Sequence, residues 1–171
     1  ESLESRERFC FDIETTSLDR FNAKLLGISF SWKSGTAVFA TLPDAEALEV
    51  FRTALTGPAE KIGHNLKYDL AVLRNHGMKV QGPFFDTLLA HTLLEPDQRH
   101  TMDYLAESLL AYTPIKLNEL TGGDPSKAGE RSAQGDLFEE KEVIDVASIP
   151  VKKLARYAGE DADVTLQLAD K

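Results

Sequence analysis

The chain has 171 residues, enough for one domain with a sizeable core, and is 42% hydrophobic and 27% charged, an ordinary balance for a globular protein. No apolar run reaches the roughly 18 residues of a membrane span, no signal peptide is visible, and Cys10, the only cysteine, excludes disulfides within the chain and cysteine-rich zinc sites and points to a reducing, cytoplasmic setting. A formal charge of −9 argues against a free-standing nucleic-acid binder, but not against a site where metal ions supply the positive charge.

In chain order, "RFCF" (Arg8 to Phe11) opens a core strand that runs into "FDIETTSLD" (residues 11–19). Side chains alternate faces on a strand, so Asp12 and Glu14 share one face while Phe11 and Ile13 share the other. Two carboxylates side by side in a half-buried setting repel each other and lose hydration, so something must offset that cost. Ala23–Trp32 reads as a second strand, Lys33–Gly35 as a turn and Thr36–Leu42 as a third strand, an antiparallel meander. "DAEALEVFRTALTG" reads as one helix, capped by Asp44, with Leu48, Phe51 and Leu55 on one face and Gly57 at its close. "EKIGHN" is a short strand feeding the helix "LKYDLAVLRNHG", with Asn65 at the capping position and Gly77 at the end. "MKVQGPFFD" supplies a fifth strand, and "TLLAHTLLE", "TMDYLAESLLAY" and "IKLNELTG" are helical.

Residues 122–149 are rich in glycine and charge and read as a long surface loop with one helical turn near "DLFEEKE". A last helix starts near Pro150, which suits a first turn. The chain lacks a starting Met and stops inside a helical pattern, so it reads as a single domain, 1–171, excised from a longer protein. The whole is an α/β fold, a mixed sheet of about five strands with helices on both faces.

Three acidic places stand out. Asp12 and Glu14 form the first. Asp69, in "HNLKYD", sits near the end of a helix's first turn, beside a strand end where ligands bind. In "YAGED", Tyr157 and Asp161 are four apart and share a helical face, whereas Glu160 and Asp163 point elsewhere and read as solvated surface. Plainer readings exist for each: Asp69 complements a helix dipole, Tyr157 and Asp161 make a surface hydrogen bond, and the Asp-x-Glu pair lies on an edge strand or in another register. His64, beside a helix start, reads as structural. Jointly the plain readings need three independent accidents.

"FDIETTSLD", "GHNLKYD" and "YAGEDAD", in this order and spacing, resemble the three motifs of the DnaQ-like 3′→5′ exonucleases. The likeness is nearest to the proofreading domain of family A DNA polymerases, the bacterial DNA polymerase I type. "LLGISFSW" and "FFDTLLAHTLLEPDQRHTMDYLAE" extend it over nearly the whole chain apart from the loop. The resemblance implies a ribonuclease H-like fold, three antiparallel strands followed by parallel ones. It also implies a metal site of Asp12, Glu14, Asp69 and Asp161, with Tyr157 as the tyrosine of the third motif. Arg156 stands where a histidine subclass carries His, so the tyrosine subclass fits. Leu18 matches a residue that wedges against the terminal base, Thr15 one whose backbone lies near the 3′ nucleotide, and Asn65 the second-motif asparagine. Leu117 stands where the family has an aromatic residue that helps hold the single strand.

Two divalent cations, Mg²⁺ or Mn²⁺, are implied, about 3.5–4 Å apart, which would offset the crowded carboxylates. Oxygen ligands suit these hard cations. In this reading one is held by Asp12, Glu14 and Asp161, with Glu14 and the Tyr157 hydroxyl orienting the attacking water, and the other by Asp12 and indirectly by Asp69. The implied partners are a single-stranded or frayed DNA 3′ end and a polymerase domain in the same parent chain; the implied work is proofreading in replication or repair. The rivals are an RNA-trimming exonuclease of the ribonuclease D type, a silent structural domain of a polymerase, and a single-strand binding module. The last predicts aromatics in a basic groove, and no such cluster shows in the sequence.

Overall fold

The computed structural model describes residues 3–120 and 145–171. Strands β1 (Arg8–Thr15), β2 (Leu25–Lys33) and β3 (Thr36–Thr41) form an antiparallel meander, and β4 (Glu60–Gly63) and β5 (Phe84–Asp86) add to it in parallel, in the order β3-β2-β1-β4-β5. Gly35, with φ 76°, takes the left-handed conformation that closes the β2–β3 hairpin.

The alternation along β1 decides which face each neighbour serves. Phe9, Phe11 and Ile13 enter one core with Ile28 and Phe30 of β2. Helices α1 (Ala45–Glu49), α2 (Arg52–Thr56) and α3 (Leu66–Asn75) cover that face through Leu48, Leu55, Val72 and Leu73. Each such fully buried large side chain contributes roughly 1.5–3 kcal/mol. Cys10 faces the other way and packs on Ile62 and on Ala162 and Leu166 of α7 (Val151–Ala169), so helices cover both faces as expected. Residues α4 (Thr87–Leu94) and α5 (Met102–Leu110) flank α7, and α6 (Leu117–Leu120) is one turn. Among the described residues no helix is long and apolar enough to cross a membrane.

Several elements differ from the sequence reading. The helix expected over residues 44–57 is two helices, because the chain leaves helical geometry at Phe51 (φ −93°, ψ 1°), whose ring docks on Phe30 at 5.1 Å. Asp44 does cap α1, accepting from Ala47 N, but Gly57 is extended rather than left-handed. The fifth strand shrinks to three residues. Gln81 N donates to Leu55 O, Gly82 sits at φ 104°, and Pro83 has no N–H to give a ladder. Of the expected loop, residues 122–144, with the turn near "DLFEEKE", lie outside the described residues, while Val146–Ser148 form a 3-10 turn capped by Asp145.

Candidate active site

The first acids come from a strand that the meander buries. Because Phe11 and Ile13 are committed to the core under α1–α3, Asp12 and Glu14 project towards α7. Helix α7 is held close there, since Gly159 has no side chain and a Cβ at that position would lie 3.4 Å from the Ala37 Cβ of β3. Two residues on, Asp161 meets the strand acids: carboxylate oxygens of Asp12, Glu14 and Asp161 all lie within 4.8 Å of one another. Glu14 and Asp161 are buried and Asp12 half-buried.

Asp69 approaches from the opposite layer. It is buried on α3, near enough to Asp12 for their charges to interact, but outside the tight cluster of three. Tyr157, half-buried one turn before Asp161, turns its hydroxyl to the Asp161 carboxylate. Leu117, where the family has an aromatic residue, packs in the wall of Leu120, Ile149 and Leu154 that also holds Tyr157.

Burial without positive charge dominates the electrostatics. Desolvation pushes Asp12 up to about 7, tempered by the Ile13 N–H that its carboxylate accepts. Glu14 rises to about 8 through burial and then the Asp12 charge. Asp161 rises to about 9 through burial and the Asp12 and Glu14 charges, against the Tyr157 hydroxyl, which pulls it down. Asp69 is driven well above the usual carboxylate range by burial and by Asp12. Burial, followed by Asp161 and Glu14, raises Tyr157, so its hydroxyl keeps its proton. Among the described residues none of the four acids has an ion pair with Lys or Arg, and Asp161 Oδ1 is buried with no hydrogen-bond partner. A buried oxygen left this way normally costs about 1–3 kcal/mol. An all-oxygen donor set of crowded carboxylates suits hard divalent cations.

The surroundings hold the remaining expected residues. Thr15, at the end of β1, directs its hydroxyl to Ser17 O at 3.0 Å and lies 2.8 Å from the Tyr68 hydroxyl. Leu18 projects into solvent, 93% exposed. Asn65 does not cap α3 with its side chain as expected: it takes the left-handed conformation (φ 68°). The cap comes from Asp86, whose carboxylate accepts from Asn65 N and Leu66 N and also from Leu88 N and Leu89 N at the start of α4. One acid thus fixes two helix starts. The sequence reading missed Asp86, although an Asp directly before "TLLAHTLL" is a capping signal. His64 is tied to Thr87 Oγ1 at 2.8 Å, and burial lowers its pKa.

Glu160 and Asp163 need correction. They are half-buried, not solvated. Glu160 accepts from Ile115 N at 2.6 Å and from the Tyr112 hydroxyl, and Asp163 accepts from Gly35 N at 2.8 Å and Gln167 Nε2 at 2.8 Å. Helix α7 is pinned on both flanks of Asp161, where Glu160 and Asp163 take up the backbone N–H groups of residues 115 and 35.

The family model described as 3′-5′ exonuclease matches residues 1–171. DNA polymerase I of Pseudomonas aeruginosa is 32% identical over 181 residues, which cover 97% of this chain and 18% of that protein. This chain spans 17–18% of the length of the first curated relatives it matches. Brucella melitensis NrnC with bound Mg²⁺ shares the fold, with a TM-score of 0.67 at 23% identity over 99% of this chain and 73% of that one. Trypanosoma brucei RNase D does so with a TM-score of 0.71 at 16% identity over 99% of this chain and 58% of that one.

Proposed function

The chain belongs to this family of 3′-5′ exonucleases, and from that premise we propose that it removes nucleotides from DNA 3′ ends, using two divalent cations held by Asp12, Glu14, Asp69 and Asp161. The observation that carries the reading is the convergence of Asp12, Glu14 and Asp161 from a strand and a helix, with Asp161 Oδ1 buried and unpartnered. Asp12 belongs to the tight cluster and also interacts with Asp69, so it is the acid able to serve both ions. Bound there, the cations supply charge neutralisation and activation of water.

The chain's own groups do the rest. Glu14 accepts a hydrogen bond from the attacking water and the protonated Tyr157 hydroxyl donates one to it, fixing its direction. As the water oxygen bonds to phosphorus the bond from phosphorus to the 3′ oxygen breaks, and the proton the water gives up ends on that leaving oxygen. The backbone at Thr15 is braced through its hydroxyl and that of Tyr68, so it offers a fixed edge to the 3′-terminal nucleotide. Leu18, exposed beside it, wedges against the terminal base, and Asn65, held left-handed by Asp86, faces the same nucleotide. The products are nucleoside 5′-monophosphates.

The relatives this chain matches in sequence are bacterial DNA polymerases I, of which it spans under a fifth. We therefore read it as a proofreading domain working beside a polymerase domain of the same parent chain, in the cytoplasm. The test uses 3′-labelled single-stranded DNA and RNA with Mg²⁺ and with chelator, on the wild type and Asp12→Ala. Release of labelled monophosphate from DNA, absent with chelator and in Asp12→Ala, is expected. Preference for RNA would move the reading to the ribonuclease D type, and wild-type digestion by Asp12→Ala would overturn the site.

A further inference from the structure

Helix α4 is apolar on every side. Its sequence, "TLLAHTLL" (Thr87–Leu94), holds no carboxylate, lysine or arginine, and a helix apolar all round is one that a protein buries. Here it is not buried. Thr87 is its only buried residue, and among the described residues none of Leu88, Leu89, Leu93 and Leu94 enters a core cluster. Leu93 is 85% and Leu94 77% exposed, and Leu89, one turn before Leu93, is exposed as well.

A groove of about 380 Å³ runs beside the helix. Helix α4 lines it with Thr87, Ala90, His91 and Leu94, the i, i+3, i+4, i+7 stripe of one helical face. Further lining comes from Leu105 and Leu109 of α5 and from Leu168 and Ala169 in the last turn of α7. The groove and the outward leucines make one apolar face, of the kind that marks a protein interface. Its lining carries one acid, Glu95, beside one lysine, Lys171. So little charge, of mixed sign, gives a phosphate chain or an anionic membrane no hold, and the net charge of −9 repels both.

The size of the relatives points to what covers this face. The chain spans 17–18% of the bacterial DNA polymerases I it matches, so a parent chain of that kind carries a much larger body tethered to this one. Tethering makes docking intramolecular, at an effective concentration in the mM range for a short linker, so an apolar face of this size suffices.

We propose that the face formed by α4, the end of α5 and the last turn of α7 is where the polymerase domain of the parent chain docks, covering Leu89, Leu93, Leu94 and Leu109. That the docked domain is a polymerase rests on the proposed proofreading reading; the docking face rests on the leucines. Helix α7 is then shared between the two domains. Its middle holds Tyr157 and Asp161 and its last turn lies in the interface, so the acid site keeps one distance and one orientation to the polymerase domain.

The test compares the 171-residue chain with the full-length parent chain by hydrogen–deuterium exchange and mass spectrometry, with chelator present. We expect amides of residues 88–95 to exchange at least tenfold more slowly in the parent chain. Leu93→Glu/Leu94→Glu in the parent chain should restore the fast rate. Val50→Glu, a change at an exposed apolar residue of another face, should not. Both variants should keep the wild-type melting temperature of the 171-residue chain and its Mg²⁺-dependent hydrolysis of a thymidine dinucleotide. Equal exchange in the two wild-type chains overturns the proposal. So does a 171-residue chain that sediments as a dimer and is dissociated by Leu93→Glu/Leu94→Glu, which gives the face to a second copy. Slowed exchange in a parent chain that extends no primer keeps the docking face but overturns the polymerase as its occupant. Slowed exchange in a parent chain that extends primers but hydrolyses no dinucleotide upholds the docking and refutes the exonuclease reading alone.

Discussion

Replacing Asp161 with Asn should stabilise the metal-free protein. Burial and the neighbouring acids hold the Asp161 carboxyl at about 9, against an ordinary 3.8. A raised folded-state pKa means the native state keeps a proton the unfolded chain has lost, so the favourable contribution is complete below about pH 4 and drains away as pH rises towards 9. At pH 7 the distance from 3.8 is worth about 4 kcal/mol at 1.36 kcal/mol per unit. Asn cannot ionise when the chain unfolds, so the substitution removes that cost. Asp12 and Glu14 share protons with Asp161 and take part of the gain, which leaves about 2–4 kcal/mol, or roughly 5–15 °C in melting temperature for a domain of this size. The assay is thermal melting followed by circular dichroism with chelator at pH 4 and pH 7, then at pH 7 with Mn²⁺. The gain should be present at pH 7 and nearly vanish at pH 4. With free Mn²⁺ at 100 times its dissociation constant, wild type should gain about 2.7 kcal/mol per site while the variant gains less. A variant that melts at or below wild type at pH 7 with chelator would refute the crowding of the acids. An equal Mn²⁺ shift in both would put the ion elsewhere on this acidic surface.

Other expectations follow from single contacts. Tyr157→Phe should lower Mg²⁺-dependent turnover about tenfold, one hydrogen bond's worth near 1.4 kcal/mol, without loss of strand binding in anisotropy. Asp86→Ala should cost about 1–2 kcal/mol for each of its two helix caps in urea unfolding, and nuclease activity should fall with it because α3 carries Asp69. Gly82→Ala should destabilise by roughly 1–3 kcal/mol from backbone strain alone. Its φ is 104°, and the new Cβ would come within 2.9 Å of the Lys61 Nζ, which is fully buried and donates to Gly57 O and Ala59 O. Unchanged unfolding midpoints for either of these last two would remove the stated contacts from the account.

The strands and the long final helix were legible because their signals are local: alternation along β1, a glycine turn after β2, Pro150 before α7. The approach of Asp12, Glu14 and Asp161 was legible only through motif order, since no local pattern says that a strand and a helix some 150 residues apart converge. The misreadings share a cause. The 44–57 helix breaks where Phe51 turns to Phe30, and β5 shortens where residue 81 bonds to α2; both are choices of tertiary partner. Glu160 and Asp163 looked solvated because the N–H groups they satisfy belong to distant segments, residues 115 and 35. Asp86 had a readable cap signal for α4, but its second role at α3 needed the fold.

The proposed acid site makes a final prediction about metal and strand together. Without cations Asp12, Glu14, Asp69 and Asp161 oppose a phosphate chain, and among the described residues none of them has an ion pair with Lys or Arg. With chelator present, Asp12→Ala should therefore bind a single-stranded oligo(dT) more tightly than wild type in fluorescence anisotropy, because it removes a repulsive carboxyl. Mn²⁺ should then tighten binding to wild type more than to Asp12→Ala, since only wild type keeps the acid shared between both proposed ions. Equal affinities of the two proteins with chelator, followed by equal gains with Mn²⁺, would mean that the strand does not lie at these acids.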